Sequence, residues 1–381
     1  VPFPALLYLD HYVGALVLPK HIYDDPKYPK ITDNPANLNP IGTGPFKFLE
    51  YVKGDHVTLV KNENYWKKGK PYLDKLIFKI LPEPTARVSA LLAGEIDYIM
   101  SSGGLPADQI EVVKGKPGIM TTTKGREGQA DIHGTWFNLA RPPFNNLKVR
   151  QAIMHATDRQ LIRERAYYNL GQIVNGPVPA ASVWQYEPNI PVFEYDPAKA
   201  EKLLDEAGYP RKADGIRFNV AYLFDTSWAE WLKVGEILRD QLGKVGVKVE
   251  VRGLLRAAYI ETVWVKREFD LVTFTFACGP NMLQQGKRMF HSSYKETTNP
   301  YCNLNYENPE VDRLWAEGLK EPDDAKQKEI VQHLQRLICA DIPVIWLVEN
   351  RQCIAWREEF MRIEETNIPW GGTSQRWDFV W

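Results

Sequence analysis

The chain has 381 residues, of which 44% are hydrophobic and 25% are charged, and its formal net charge at pH 7 is -1. The length allows roughly two or three domains, and the charge excludes the basic surface that holds nucleic acid or an anionic membrane. The 12 Trp, 18 Tyr and 27 Pro favour a ligand-binding protein or a carbohydrate-active enzyme, because aromatic side chains form rigid contact surfaces.

The chain begins with an apolar, aromatic segment that reads VPFPALLYLDHYVGALVLPKHIYDD. It lacks the organisation of a signal peptide, and no apolar run in the sequence reaches the ~20 residues that cross a bilayer. We expect a processed product or a chain whose upstream sequence is absent.

The segment IGTGPFKF, residues 41–48, raises the question of a phosphate-binding loop. Such a loop needs several converging backbone N–H groups followed by a helix, and Pro45 removes one of these donors. The next residues, FKFLEYVKGDHVTLVKNENYW, alternate apolar and polar side chains around KGD and predict a β-hairpin. The segment is therefore predicted to be a loop that leads into a strand, and LDKLIFKIL is predicted to form a further strand.

A helix is predicted in EPTARVSALLAGEIDYIM, with Pro84 near its start and Gly94 at its end. Its apolar stripe towards the core is predicted to consist of Val88, Leu91 and Leu92. The short apolar run IDYIM that follows is typical of a buried parallel strand.

The next region of the chain begins with a predicted strand, DIHGTWFNL at 131–139. LKVRQAIMHATDRQLIRERAY predicts one amphipathic helix, and DPAKAEKLLDEAGYP a helix capped by Asp196. From IRFNVAYLF to DLVTFTFA, strands and helices alternate, which predicts an open parallel sheet. Two helices and an apolar strand close this region. The predicted core residues of the first helix are Val149, Ile153, Ala156 and Leu161.

Cysteine is sparse, and no C-x-x-C spacing occurs, which excludes zinc-ribbon and thioredoxin-type sites. Cys278 and Cys302 flank a polar loop and could form a disulfide in an oxidising compartment. Buried free thiols are the alternative for these two residues and for Cys339 and Cys353, and the spacing does not choose between them.

The sequence contains no recognisable catalytic, cofactor or metal motif. Its seven histidines form neither H-x-x-x-H nor H-E-x-x-H, and no G-x-S-x-G elbow is present. No cofactor is therefore predicted. Because catalytic residues can be scattered along a chain, an aromatic-rich α/β hydrolase acting on glycosides or peptides remains the alternative to a binding protein.

Several ordered blocks resemble a known family. LNPIGTGPFKFLEYVKGDHVTLVKNENYW, RPPFNNLKVRQAIMHATDR (141–159), YDPAKAEKLLDEAGYP (195–210) and YENPEVDRLWAEGL…ICADIPVIWL (306–347) are similar to extracellular solute-binding proteins of the peptide/nickel ABC-importer class, solute-binding family 5. The resemblance implies a two-lobed α/β fold of the periplasmic-binding-protein class II type, with a ligand cleft between the lobes.

The resemblance also implies the domain organisation. Lobe 1 would comprise 1–131, with its N-terminal part missing, lobe 2 would comprise 132–355, and 356–381 would return to lobe 1. Hinge crossings would lie near 126–134 and 350–358.

By the same resemblance the protein is not an enzyme. It would be the substrate-binding component of an ABC importer, would capture a peptide-like or other polar small solute, and would deliver it to the permease transmembrane subunits. It would be a monomer without nucleic-acid partners, periplasmic, or extracellular and lipid-anchored in a Gram-positive organism.

The pocket residues implied by the resemblance lie in GTWFN and VTFTFACGPNM. In peptide-binding members the second segment carries an Asp that pairs with the peptide α-amino group, but 277–286 read ACGPNMLQQG and contain no acid. Lys287 and Arg288 follow, so we expect an anionic or neutral polar ligand such as an opine-like conjugate, a sugar or a modified peptide. For Trp136 and Phe276, burial in the core is the alternative to a ligand contact. The expected ligand-binding residues are Trp136, Phe137, Asn138, Phe276, Cys278 and Asn281.

Overall fold

The computed structural model describes residues 18–99, Leu105, 107–123, 132–278, 281–349 and 353–360. These residues form two compact units. The larger unit contains the described residues from 132 to 349, and the smaller unit contains those from 18 to 123 and from 353 to 360. The predicted lobe boundaries and hinge crossings fall partly on residues outside the described ranges, and they stay predictions.

The strands of the described residues are, in chain order, β1 Phe46–Val52, β2 His56–Lys61, β3 Lys75–Lys79, β4 Tyr98–Ile99, β5 Ile119–Thr122, β6 Ile132–Phe137, β7 Gln172–Ile173, β8 Phe218–Asp225, β9 Val247–Leu254, β10 Leu271–Phe276, β11 Val344–Glu349 and β12 Ile354–Arg357. The α-helices are α1 Lys20–Tyr23, α2 Pro84–Ala93, α3 Ile110–Val113, α4 Leu147–Ala156, α5 Arg159–Arg165, α6 Pro197–Glu206, α7 Ala229–Lys244, α8 Arg256–Ile260, α9 Met282–Gln285, α10 Lys287–Phe290, α11 Pro309–Gly318 and α12 Asp324–Asp341. Short 3₁₀ turns are Ile31–Asp33, Pro35–Leu38, Ala107–Gln109 and Ser292–Tyr294, and a π-helical turn covers Glu261–Val265.

In the smaller unit, β1, β2 and β3 form an antiparallel sheet, which confirms the predicted hairpin and the strand after it. Gly54 has a φ of 82° in the KGD turn, a conformation that favours glycine. The Asn62 side chain donates to the Gly44 carbonyl at 2.8 Å and so fixes the IGTGPF loop at the start of β1. The predicted loop leading into a strand is confirmed.

The helix predicted in EPTARVSALLAG is α2, and Gly94 ends it with a φ of 74°. Val88 and Leu91 are buried as predicted, but Leu92 is 43% exposed, so its assignment to the core is wrong. The strand that follows, β4, pairs antiparallel with β12 and not in parallel as predicted. Strand direction depends on a partner more than 200 residues away in the chain, which the local pattern cannot report.

The larger unit is built on a six-stranded mixed sheet with the order β7-β11-β6-β10-β8-β9. Only the β10–β8 and β8–β9 pairs are parallel, and β6 runs antiparallel to both of its neighbours. The parallel arrangement predicted from IRFNVAYLF to DLVTFTFA is therefore confirmed for β8, β9 and β10, and β6, β11 and β7 extend this sheet through antiparallel pairs. The strand–helix alternation that supported the prediction covers only β8 to β10.

Two helices, α4 and α5, replace the single helix predicted over LKVRQAIMHATDRQLIRERAY. The break lies at Asp158, whose Oδ1 accepts a hydrogen bond from the Leu161 N–H at 3.0 Å and so caps a new helix. Leu161 is only half-buried, and Ile162 is buried in its place. The predicted cap of α6 is confirmed, since Asp196 Oδ1 accepts from the Lys199 N–H at 2.9 Å.

Buried side chains cover both faces of the six-stranded sheet. On one face Phe274 packs against Trp136 and Trp264, with ring centroids 4.8 Å and 5.2 Å away. On the other face the Tyr222 hydroxyl donates to the Trp231 carbonyl of α7 at 2.8 Å. The sheet is thus the middle of three layers, as in other α/β domains.

Candidate functional site

One edge of the large sheet collects the ends of several strands. Ile132, the first residue of β6, pairs with Phe276 at the end of β10 and with Glu349 at the end of β11. The parallel neighbours β8 and β9 end there as well, at Asp225 and Leu254. Open α/β sheets bind ligands at the carboxyl ends of their strands. We therefore take this edge, here called the carboxyl edge, as the candidate site of the larger unit.

Asp225 ends β8 and is fully buried. Its Oδ1 accepts hydrogen bonds from the N–H and the hydroxyl of Ser227, at 2.9 Å and 2.7 Å. Its Oδ2 accepts from Nη1 of Arg256 at 3.0 Å. The Arg256 guanidinium lies 5.3 Å from the ring centroid of Tyr301. Partial burial is the largest influence and lowers the pKa of Arg256, but the hydrogen bond to Asp225 and the charge interactions with Tyr301, Asp225 and Tyr259 together leave the pKa raised.

Two of the three aromatic residues predicted to contact ligand, Trp136 and Phe276, lie in one buried cluster. The ring centroids of Trp136 and Phe276 are 5.5 Å apart, and Trp136 also stacks on Phe290 at 5.5 Å. Both side chains are almost completely buried. The Trp136 Nε1–H has no hydrogen-bond acceptor among the described residues, which leaves a polar group of this cluster available to a further partner.

Phe137 and Asn138 lie at the opposite edge of the sheet. Phe137 pairs with Leu271 at the start of β10, five residues along β6 from the carboxyl edge, which corresponds to about 17 Å. The Asn138 Nδ2–H donates to the carbonyl of Phe269 at 2.9 Å, and its Oδ1 accepts from Asn305 at 2.9 Å. The structure therefore does not bring these two residues together with Phe276.

Cys278 and Asn281 follow β10 on either side of two residues outside the described ranges. Burial raises the pKa of the Cys278 thiol, and all four cysteines are free and buried, so the suggested Cys278–Cys302 disulfide is absent. Asn281 caps α9, because its Oδ1 accepts from the Leu283 N–H at 2.9 Å. Its Nδ2–H donates to Gln327 at 3.0 Å. Both polar atoms of the Asn281 side chain are thus used within the unit.

At the carboxyl edge, the sheet face opposite to Trp136 and Phe276 contains a buried histidine. The His133 Nδ1 accepts a hydrogen bond from the Trp231 Nε1–H at 3.2 Å and lies 3.0 Å from the Tyr167 hydroxyl. Burial lowers the pKa of His133 to about 3, so the ring is neutral at physiological pH. It is therefore a packed histidine.

Neither Asp225 nor Arg256 is among the residues predicted from the sequence. The available signal was the position of Asp225, directly after the apolar strand FNVAYLF and before the turn residues Thr226 and Ser227. In the part of the chain that the structure describes, no three His, Cys, Asp or Glu side chains converge as a metal ion requires. Over the same residues, no helix has both the length and the hydrophobicity needed for a bilayer crossing.

The comparison with protein families decides the assignment. The sequence model of the bacterial extracellular solute-binding proteins, family 5 Middle, matches residues 4–296, which is more than half of the chain. The chain belongs to this family. The family assignment confirms the resemblance stated from the sequence blocks and favours a binding protein over the hydrolase alternative.

Two curated family 5 relatives are each 28% identical to the chain. The glutathione-binding protein GsiB of Pectobacterium atrosepticum aligns with 82% of this chain and 59% of its own length. The oligopeptide-binding protein AppA of Bacillus subtilis aligns with 88% of this chain and 61% of its own length. The chain thus spans less than two thirds of the length of these relatives.

Among solved structures, the dipeptide binding protein from Pseudoalteromonas sp. SM9913 in complex with Met-Leu is 27% identical, with a TM-score of 0.76. The similarity covers 94% of this chain and 68% of that one. It confirms the predicted fold class, the periplasmic-binding-protein-like α/β fold.

Proposed function

We propose that this family 5 protein is the substrate-binding component of an ABC importer. It captures a peptide-like or other polar small solute outside the cytoplasm and delivers it to the transmembrane subunits of the permease. The compartment is the periplasm, or the cell surface with a lipid anchor in a Gram-positive organism. The protein acts as a monomer and performs no chemistry on the solute.

The observation that carries this proposal is the family match over residues 4–296, supported by a fold similarity along 94% of the chain. The relatives bear the names of glutathione- and oligopeptide-binding proteins. These names favour a solute with peptide bonds and carboxylates.

The segment after β10 restricts the class of solute. Residues 277–286 contain no carboxylate, so this segment offers no counter-charge to the ammonium group of a free peptide. An ammonium group buried without a counter-charge is heavily penalised. We expect weak binding of unmodified di- and tripeptides whose only carboxylate balances the ammonium group, and tighter binding of N-blocked ligands and of anionic ligands such as glutathione, whose two carboxylates outnumber its ammonium group.

The test is isothermal titration calorimetry of the 381-residue chain with Met-Leu, N-acetyl-Met-Leu, glutathione, an opine and an oligosaccharide, combined with product analysis. We expect one-to-one binding of at least one anionic or N-blocked ligand, weak binding of Met-Leu and no product. Sub-micromolar binding of Met-Leu that is lost on N-acetylation would contradict the selectivity. Cleavage of a peptide or a glycoside would instead support the hydrolase alternative.

The six predicted ligand-binding residues remain part of the proposal. Because all six are buried, contact with a solute requires the segment around them to move. The unpartnered Nε1–H of Trp136 supports a role for this residue, since a polar ligand atom could accept its hydrogen bond. We expect that ligand changes the tryptophan fluorescence of the protein and that Trp136→Phe removes the change. Trp231→Phe, on the other face of the sheet, serves as the control and should retain it.

A further inference from the structure

Two arginines that are close together in the chain differ in the partners of their guanidinium groups. The side chains of Arg252 and Arg256 are 53% and 52% exposed. Arg252 uses two of its nitrogens on Glu250, with Nε at 2.7 Å and Nη2 at 2.6 Å from the two carboxylate oxygens. Glu250 is itself 63% exposed, so this is a surface ion pair whose guanidinium is already occupied.

Arg256 is fixed from one side and open on the other. Among the described residues, its guanidinium donates one hydrogen bond, from Nη1 to Asp225. The Asp225 carboxylate is fully buried and also accepts two hydrogen bonds from Ser227, so its position is determined by the fold. Tyr301 supports the guanidinium face at 5.3 Å. The Nε and Nη2 groups remain as donors on a half-exposed side chain.

The position of this arginine coincides with the carboxyl edge. Asp225 ends β8, and Arg256 follows β9 at the start of α8, so both lie where an α/β sheet binds ligands. A guanidinium presents parallel donors that match the two oxygens of a carboxylate or the oxygens of a phosphate. The aspartate holds the arginine in place, and the remaining nitrogens are free for an oxyanion.

We propose that Arg256, positioned by Asp225 and Tyr301, binds an oxyanion group of the transported solute, a carboxylate or a phosphate. This inference rests on the proposed function and narrows it to anionic solutes. It agrees with the absence of acidic residues in 277–286, because the same segment that cannot neutralise an ammonium group does not repel an anion.

The experiment is calorimetry with glutathione as the probe on the wild-type chain, Arg256→Gln and Arg252→Gln. Arg252 is the matched control, because it has the same side chain and nearly the same exposure. We expect Arg256→Gln to lower the affinity for glutathione roughly 10- to 100-fold, because the variant lacks the hydrogen-bonded charge pair between the guanidinium and the ligand carboxylate. We expect Arg252→Gln to stay within about twofold of wild type, since its guanidinium is paired with Glu250 at the surface.

Two further measurements separate recognition from folding. Glutathione diethyl ester, whose carboxylates are blocked, should bind the wild-type protein and Arg256→Gln equally. Competition of inorganic phosphate or a sugar phosphate with glutathione would show that the site also accepts phosphate. Absence of competition would restrict the site to carboxylates. Arg256→Lys should recover part of the affinity, because lysine keeps the charge but lacks the planar donor pair. Thermal unfolding of each variant identifies a general loss of structure.

The results of these experiments distinguish a failure of this inference from a failure of the proposed function. Unchanged glutathione affinity in a folded Arg256→Gln variant, or an equal loss in Arg252→Gln, would overturn the inference and leave solute binding intact. A wild-type chain that binds neither glutathione nor any other anionic probe, but binds a neutral solute, would also overturn it. Absence of all solute binding would overturn the proposed function and the inference together.

Discussion

The two compact units bury their apolar side chains to very different extents. In the larger unit, Phe274, Trp264 and Trp346 lie against one sheet face and are at most 2% exposed. In the three-stranded sheet of the smaller unit, Phe48 is only half-buried, and Ile77 is 57% exposed. Hydrophobic stabilisation follows the apolar area that is removed from water. The larger unit therefore contains the main source of stability among the described residues.

The largest expected effect is a core truncation that contrasts the two units. Phe274→Ala should lower the free energy of unfolding by about 3–5 kcal/mol, because it opens a cavity between Trp136 and Trp264. Phe48→Ala, the same change at a half-buried position of β1, should cost less than about 2 kcal/mol. Urea unfolding followed by hydrogen-exchange mass spectrometry reports each unit separately. Equal losses for the two variants would remove the proposed difference between the units.

The second effect concerns pH, and it arises from His133 in the larger unit. Its pKa is about 3 in the folded state, against an ordinary value of 6.5. Below pH 6.5 the unfolded chain binds a proton that the folded protein does not bind. Stability from this group is therefore complete above pH 6.5 and is lost as the pH falls towards 3. The slope is at most about 1.4 kcal/mol per pH unit.

His133→Asn removes the titrating ring and keeps a hydrogen-bond acceptor. We expect the unfolding free energy of the variant to fall less steeply than that of the wild type between pH 7 and pH 5. Urea titrations at matched ionic strength measure the difference. His56 of the smaller unit is the control: it lies beside Asp55 and Glu50, and their hydrogen bonds raise its pKa. Parallel profiles for wild type and His133→Asn would refute the assignment.

The smallest effect compares glycines in packed and open surroundings. A Cβ on Gly235 of α7 would lie 2.5 Å from the Tyr222 ring, which is held by hydrogen bonds to Trp231 and Thr273. Gly235→Ala should therefore destabilise the larger unit by about 1–3 kcal/mol. A Cβ on Gly243 of the same helix, or on Gly44 of the smaller unit, meets no atom within 4 Å.

Gly243→Ala should stabilise the protein by up to about 1 kcal/mol, since alanine loses less backbone entropy in a helix. Gly44→Ala should change stability by less than about 1 kcal/mol. Differences in thermal unfolding temperature between the three variants test this order. A neutral Gly235→Ala would show that the helix layer of the larger unit is less tightly packed than its ring contacts indicate.

Local features of the sequence predicted local features of the fold. The KGD turn, the Asp196 cap and the Gly94 helix end all follow from residues that lie next to them in the chain, and the structure confirms each. The direction of β4 depends on pairing with a strand far away in the sequence, so its predicted parallel arrangement was wrong, whereas the parallel arrangement predicted for β8, β9 and β10 is confirmed. The family blocks supplied the fold class, which periodicity alone could not define.

The candidate site was predicted only in part. Trp136 and Phe276 share one cluster because their strands pair, but Phe137 points to the other face, since side chains alternate along a strand. Asp225 and Arg256 lie 31 residues apart. The carboxyl ends of β8 and β9 bring them together, and no local motif marks such a pair.

The most direct test of the solute-binding account is native mass spectrometry of the 381-residue chain, purified without added ligand and then denatured. The account predicts that one small solute is retained per chain at one-to-one stoichiometry. It also predicts that this solute carries a carboxylate or a phosphate and is released chemically unchanged. A chain that retains nothing and binds no member of the solute panel, or that releases a cleaved product, would contradict the account.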